Sequence, residues 1–399
     1  MVGPYSADEF TRANSDVPGT NELHYYWHHP SGLCHLAVWR PSASFEGAPV
    51  MLVVHGGLGF NPGWRSIESN ALTGKYDDLA AAMSAKGWVV ISIDYPTCGR
   101  NASVIEPSGV EASSSLIAGT WGEIHPIAFW PEQPAYLALA IQYIKSNWSG
   151  VDNATLFGEA LWGAGNSIDP DYIHVLGNSW GGTMALYVGF QPTGYYPYVT
   201  EHALGEMDPY MPRASHRVRS ISCISPQIDF TQWHFDAGDS WLGEIYSNDN
   251  LQAFQRAESR RAWSTIPMAW KRQSPWWVMS ENHPENDNIS CYIEFIGDGS
   301  HESSENLTYE DWSPGSVRDD VDGGKAWMDP HNGPFQGKPT RDLLRSHGTN
   351  ASAPIRLSRV AWPGASSTGD GEANLGVTAY ITRMFSWLRS IGYPEEYTT

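Results

Sequence analysis

The sequence is poor in positive charge and has no long hydrophobic run. Its 24 Lys and Arg stand against 44 Asp and Glu, which leaves a formal net charge of −20 at pH 7. Nucleic acids and anionic membranes need positive protein surface, so the charge argues against both as partners. No stretch of about 18 consecutive apolar residues occurs, which predicts that no helix spans a membrane. The acidic excess favours an extracellular or saline setting over the cytoplasm.

Sequence patterns for metals and nucleotide cofactors are also missing. The chain has no H-E-x-x-H, no cluster of Cys and His, no G-x-G-x-x-G and no Walker sequence. His28 and His29 are adjacent and would point to opposite faces of a strand, so they are poor joint ligands. The carboxylates within 318–322 lack the spacing of an EF-hand and are typical of a solvated loop. The sequence therefore predicts no metal and no cofactor.

Cysteine is scarce and carries no paired spacing. The chain has no C-x-x-C pattern, and three of its 4 Cys lie in or beside apolar runs. The four are Cys34, Cys98, Cys223 and Cys291. This distribution favours buried free thiols, with a single disulfide as the alternative.

Short apolar runs alternate with helical patterns along the 399 residues. The predicted strands are 36–40, 49–55, 88–95, 172–177, 218–224, 291–297 and 355–362, and the predicted helices are 76–86, 133–146, 182–189, 340–346 and 377–390. This alternation predicts an α/β fold, with a mostly parallel central sheet covered by helices on both faces, in a single domain over 1–399. Three long stretches interrupt this alternation, and long loops in a compact domain are usually functional. We therefore expect cap insertions at about 99–129 and 231–290 and a polar loop insertion at about 301–328.

A serine motif lies between a predicted strand and a predicted helix. It reads Gly177-Asn178-Ser179-Trp180-Gly181-Gly182. A serine on such a tight turn needs small neighbours, because its backbone is strained and crowded. The helix N-terminus behind it stabilises developing negative charge. Ser179 is therefore the candidate nucleophile, and an ordinary turn with a capping serine is the alternative.

A second motif, His55-Gly56-Gly57, directly follows another buried strand. With the serine motif, the Asp94-Tyr95-Pro96 turn and the helix start at Trp130-Pro131-Glu132-Gln133, the sequence resembles the α/β-hydrolase fold family. The similarity is to its esterase/lipase and prolyl-oligopeptidase-like branches. It spans roughly residues 35–390, with dense motif matches over 49–190. The resemblance implies an α/β-hydrolase fold with cap insertions.

The resemblance also implies an oxyanion hole. Its donors would be the backbone N–H groups of Gly56 and Gly57, with that of Trp180 after the nucleophile. Each preorganised donor of this kind contributes about 3–4 kcal/mol to transition-state stabilisation. A tight loop that allows close packing is the alternative interpretation of the two glycines.

The histidine of the family's triad is missing from its usual place. The triad runs serine, acid, histidine, with the histidine after the last strand. Here Trp362-Pro363-Gly364 occupies that turn, Ser366 or Ser367 stands where the histidine is expected, and no histidine follows His347. A serine hydroxyl holds its proton at pH 7 and cannot act as the general base. Another histidine must therefore act as the base, or the hydrolytic site is inactive.

Two loops supply candidates for the acid and the base. Asp329 and His331 lie in a segment that resembles the family's acid loop, and they are the preferred acid and a candidate base. Asp298 is the alternative acid and His301 the alternative base, because both closely follow the strand 291–297. Exposed loop residues are the alternative interpretation of either histidine, and the segment from Asp329 is also typical of a β-turn.

The motifs together predict a serine esterase that cleaves a small-molecule carboxylic ester through an acyl-enzyme intermediate. Tryptophan adds an expectation about the substrate, because six of the 19 Trp fall within 231–290: Trp233, Trp241, Trp263, Trp270, Trp276 and Trp277. Indole faces suit sugar rings and flat aromatic groups, which predicts an aromatic or sugar-linked ester. Packing of the cap onto the core is the alternative role for these side chains.

Two other functions stay open. The Ser274-Pro275-Trp276-Trp277 stretch resembles that of prolyl-oligopeptidase-like enzymes and indicates a serine peptidase. The missing histidine indicates instead a non-catalytic binding or structural protein on a hydrolase fold.

Overall fold

The computed structural model describes eight strands that form one sheet. The described residues are 22–29, 32–56, 80, 83–93, 95, 132–146, 166–178, 180–192, 215–224, 226, 228, 274–281, 289–296, 355–358 and 381–398. Within them the strands are β1 (Glu22–His29), β2 (Gly32–Trp39), β3 (Ala48–Val54), β4 (Val89–Ile93), β5 (Ile168–Asn178), β6 (Ser220–Ile224), β7 (Ser290–Ile296) and β8 (Ile355–Ser358).

The sheet is mostly parallel. Its strand order is β1-β2-β4-β3-β5-β6-β7-β8, and every neighbouring pair from β4 to β8 in that order is parallel. β2 pairs antiparallel with β4, and β1 pairs antiparallel with β2 at the edge. Parallel neighbours place their carboxyl ends at the same edge of the sheet. That edge is where the segments after β3, β4, β5 and β7 begin.

Helices cover both faces of this sheet. They are α1 (Glu132–Ser146), α2 (Trp180–Phe190), α3 (Pro275–Ser280), α4 (381–390) and α5 (Glu395–Thr398), and residues 80 and 83–85 are also helical. Val50, Leu52 and Val54 of β3 pack with α1, α2 and α3, whereas Met51 and Val53 pack with α4. A strand buried on both faces needs the continuous apolar run that this sequence has. The predicted fold class is confirmed.

The predicted strands match described strands apart from their bounds. The helices predicted over 76–86, 133–146, 182–189 and 377–390 coincide with described helical residues, whereas the helix predicted over 340–346 lies outside the described residues. α2 begins at Trp180, two residues before its predicted start, and β5 begins at Ile168, four residues before its own. The helix predicted over 76–86 ends at Gly87, whose φ of +91° lies in the left-handed region that favours glycine. β1 was not predicted.

The predicted insertions lie almost wholly outside the described residues. This holds for 99–129, for 301–328 and for most of 231–290. The described end of the last range is α3, whose Val278 and Met279 are buried in the core. Trp276 packs against the same core, as the alternative role for the tryptophans expects. Among the helices in the described part of the chain, none has the length and apolar character needed to cross a bilayer.

The face of the sheet under α4 contains a buried polar cluster. The His174 ring lies between two serine hydroxyls, with Nδ1 2.8 Å from Ser220 Oγ and Nε2 2.8 Å from Ser222 Oγ. Ser220 Oγ is also 2.8 Å from the Tyr393 hydroxyl. His174 is fully buried, and this burial lowers its pKa to about 3. The imidazole is therefore neutral at pH 7, with both ring nitrogens hydrogen-bonded.

Ionic and hydrogen bonds attach the C-terminal segment to the same face. The Arg383 guanidinium of α4 binds both carboxylate oxygens of Glu294, a fully buried side chain of β7. The Trp88 indole donates to the Tyr397 carbonyl at 2.6 Å, and Arg219 donates to the Ile391 carbonyl at 3.0 Å. A charge buried in this way is tolerated only when it is paired, so Glu294 fixes the position of α4.

We expect His174 to make stability depend on pH. Its pKa is about 3 in the folded protein, against an ordinary value of 6.5, so between these values only the unfolded chain binds the proton. The stabilisation is complete above pH 6.5 and is lost as the pH falls toward 3, at about 1.4 kcal/mol per pH unit. His174→Gln should remove this dependence, which urea unfolding at pH 7, 6, 5 and 4 would measure. Parallel pH profiles for the variant and the original protein would contradict the expectation.

Candidate active site

The serine motif lies at the junction of β5 and α2. β5 ends at Asn178 and α2 begins at Trp180, so a single residue, Ser179, separates the strand from the helix in the sequence. Ser179 itself lies outside the described residues. A strand and a helix joined by one residue require a sharp turn, which is the setting that the motif predicts.

Backbone crowding explains the glycines on both sides of the turn. A Cβ on Gly177 would lie 2.5 Å from the Gly182 Cα and 2.6 Å from the Gly181 oxygen. A Cβ on Gly181 would lie 2.2 Å from the Val54 oxygen and 2.4 Å from the His55 oxygen. Every one of these atoms is backbone and cannot rotate away. Only glycine allows α2 to approach the ends of β3 and β5 this closely.

The second motif begins beside this turn. β3 pairs with β5 in a register that sets Val54 opposite Gly177, so His55 and Gly56 follow β3 at the edge where β5 ends. His55 is buried, and its ring stacks on the Tyr95 ring with centroids 4.1 Å apart and planes 9° apart. The Tyr95 hydroxyl donates to the His55 carbonyl at 3.0 Å. The two predicted halves of the site, the serine turn and the His-Gly-Gly loop, thus start next to each other.

The Trp180 side chain is part of the core, which leaves its backbone N–H as the group predicted to serve the candidate site. The indole is fully buried, and its Nε1–H donates to Gln133 Oε1 of α1 at 2.9 Å. Trp180 is the first residue of α2, and the first N–H groups of a helix have no partner within the helix. The bond to Gln133 anchors the start of α2 and with it the residue that follows Ser179.

A cysteine packs under the serine turn without competing as a nucleophile. A Cβ on Gly182 would lie 3.2 Å from the Cys223 Cβ, and the Cys223 thiol is 3.5 Å from the Gly182 oxygen. Burial raises the pKa of this thiol well above its ordinary value, so it stays protonated. Cys223 and Cys291 are buried free thiols, as predicted.

Two of the described histidines, His174 and His216, lie away from the serine turn. His174 points into the polar cluster under α4, where its pKa of about 3 means that the neutral ring does not accept a proton near neutrality. His216 precedes β6, at the edge of the sheet opposite to the serine turn, and its Nε2 is 3.3 Å from the Gln191 carbonyl. The described residues also contain no group of three or more His, Cys, Asp or Glu suited to hold a metal ion.

Gly56 and Trp180 are the predicted site residues that the structure describes, and it brings both to the serine turn. The others lie outside the described residues: Gly57, Ser179, Asp298, His301, Asp329 and His331. β7 ends at Ile296, so Asp298 follows its carboxyl end by two residues in the sequence. Tyr95 and Gln133 are described residues that also lie beside the turn. Both belong to segments that carry the family resemblance, but neither had a predicted role of its own. A contact between side chains that are distant in sequence leaves no sequence pattern.

The chain has the fold of a solved esterase. The butyrate-bound structure of the thermophilic esterase 2 from the planctomycete Thermogutta terrifontis is similar with a TM-score of 0.50 and 14% identity, over 95% of this chain and 97% of that one. The native structure of the same esterase has a TM-score of 0.49 and 14% identity, over 95% of each chain. No family model matches the sequence, and no curated protein matches it either. At this identity the first likeness shows the fold alone.

We expect Gly181→Ala to disrupt the serine turn. The new methyl group would meet two carbonyl oxygens at 2.2 and 2.4 Å, and we expect a loss of roughly 3 kcal/mol or more or failure to fold. Gly189→Ala in the same helix is the matched control, because its Cβ would meet only the end of the Ile221 side chain, which can rotate. Urea unfolding compares the two variants. Equal stability would show that the turn is not crowded as described.

Proposed function

We propose that this protein is a serine hydrolase that cleaves a carboxylic ester through an acyl-enzyme intermediate. The observation that carries the proposal is the glycine-crowded junction at 177–181, which sets a single serine between a strand and a helix beside the His55–Gly56 loop. One solved structure of similar fold is that of an esterase, which agrees with the proposal. Membership of the α/β-hydrolase family is part of the same proposal.

The proposed chemistry is acyl transfer to water. Ser179 Oγ attacks the ester carbonyl carbon and gives its proton to the imidazole of His331. The N–H groups of Gly56, Gly57 and Trp180 stabilise the negative carbonyl oxygen, which then re-forms its double bond and expels the alcohol, protonated by the imidazolium. Water repeats the sequence on the acyl-enzyme, which releases the carboxylic acid and returns the proton to Ser179.

The proposed acid and base come from the segment between β7 and β8. Asp329 orients His331 in the preferred assignment, and Asp298 with His301 is the alternative pair. The alternative draws support from the end of β7 at Ile296, because Asp298 is two residues further along the sequence and β7 runs parallel to β5 through β6. The substrate is proposed to be a small ester with a flat aromatic or sugar ring.

The first test is chemical labelling of Ser179. A fluorophosphonate probe should react with Ser179 and should not react with Ser179→Ala, because only the activated hydroxyl attacks phosphorus. The same substitution should lower kcat on p-nitrophenyl butyrate by about 10⁴-fold or more. Mass spectrometry of the labelled peptide identifies the serine. A chain that stays unlabelled under conditions that label a known serine esterase would instead be a non-catalytic protein on this fold.

The second test assigns the base. His331→Ala should lower kcat by about 10²–10⁴-fold, because the general base contributes that much to acyl transfer. His301→Ala is the matched variant and should keep activity within a few-fold. The reverse pattern assigns the base to His301 and with it the acid to Asp298. Full activity in both variants would contradict the proposal that either histidine is the base.

A further inference from the structure

Three hydrogen-bonding contacts converge on two consecutive carbonyl groups after β3. The Tyr95 hydroxyl donates to the His55 oxygen at 3.0 Å and lies 3.5 Å from the Gly56 oxygen. His55 Nδ1 is 2.7 Å from the same Gly56 oxygen. A carbonyl oxygen can only accept, so Nδ1 carries a proton and donates it in this bond. Both carbonyls are thus held from the same side of the loop.

Peptide geometry links these carbonyls to the proposed oxyanion hole. The C=O of one residue and the N–H of the next share a rigid plane and point in opposite directions across a trans bond. The plane of the His55 carbonyl carries the N–H of Gly56, and the plane of the Gly56 carbonyl carries the N–H of Gly57. A restraint on the two oxygens is therefore a restraint on the direction of both proposed donors.

Tyr95 is itself firmly placed. It is fully buried and follows the end of β4 by two residues, and β4 pairs with β3 so that Ile93 lies opposite Val54. Its ring stacks on the His55 ring at 4.1 Å. Tyr95 thus contacts His55 in two ways, through its ring and through its hydroxyl. Loss of the hydroxyl alone would leave the stacked ring in place.

Helix α2 restrains the loop from the other direction. A Cβ on Gly181 would meet the Val54 and His55 oxygens at 2.2 and 2.4 Å, which shows how closely the helix backbone approaches the peptide that Tyr95 binds. The His55 carbonyl is consequently held between Tyr95 and the start of α2. Trp180, the third proposed donor, belongs to that same start and is anchored through Gln133.

We infer that Tyr95 is a positioning residue for the oxyanion hole: its hydroxyl fixes the His55 carbonyl and thereby orients the N–H group of Gly56. The inference rests on the proposed function and deepens it. Tyr95 touches no reacting atom. Its contribution is made through the peptide group between His55 and Gly56, and it should be expressed mainly in the transition state, where the oxyanion exists.

The test compares Tyr95→Phe with Tyr393→Phe. Tyr95→Phe keeps the ring that stacks on His55 and removes only the hydroxyl. Tyr393→Phe removes another buried, hydrogen-bonded hydroxyl, 2.8 Å from Ser220 Oγ on the opposite face of the sheet, and controls for a general loss of stability. The measurements are kcat and KM on p-nitrophenyl butyrate per labelled Ser179, the rate of fluorophosphonate labelling, and Tm. Normalisation to labelled serine removes any contribution from misfolded chains.

Tyr95→Phe should lower kcat about tenfold, less than the 10²–10³-fold cost of losing a donor outright, with KM within about twofold. The labelling rate should fall in parallel, because the serine attacks phosphorus and the phosphoryl oxygen on that atom uses the same donors. Tyr393→Phe should keep kcat and the labelling rate within about twofold whatever its Tm. A Tyr95→Phe enzyme with the kinetics of Tyr393→Phe, or one changed only in KM, would overturn the inference while the proposed function stands. An original protein without turnover or labelling would overturn both.

Discussion

The close approach of α2 to the ends of β3 and β5 is the constraint on which the candidate site depends. Gly181 faces the carbonyl oxygens of Val54 and His55 at a distance that leaves no room for a side chain, and Gly177 faces the backbone of Gly182 in the same way. This packing brings the serine turn against the His-Gly-Gly loop. It also makes α2 a wholly buried helix, so its eleven apolar or small residues need no polar face.

The two faces of the sheet are buried by different means. The face under α1, α2 and α3 is packed almost entirely with apolar side chains. The face under α4 adds a polar cluster around His174 and the Glu294–Arg383 ion pair. Buried polar groups of this kind are acceptable when each has a partner, and their directionality specifies one arrangement of the segment that they bind. The helix that follows the serine turn packs on the apolar face of the sheet. The polar bonds hold the C-terminal segment on the other face.

Much of the fold could be predicted because the spacing of apolar residues and the positions of glycine and proline depend on local structure. Continuous apolar runs identified β3 and β4, and the glycine at 87 identified the end of a helix. β1 was not found in this way, because its sequence ELHYYWHH holds one aliphatic residue, Leu23, among aromatic and polar ones and so contains no apolar run. α2 begins two residues earlier than its pattern indicates, because Trp180 is anchored by Gln133, a residue distant in sequence.

The sequence by itself determined the alternation of strands and helices, the single serine between Asn178 and Trp180, and the glycines that such a turn needs, because each is a local requirement of backbone geometry. Only the tertiary structure decided which strands are neighbours, and hence that the turn after β5 lies beside His55 and Gly56. It also decided that Tyr95 donates to the His55 carbonyl of that loop. Contacts of this kind join residues about forty positions apart, and no spacing in the chain records them.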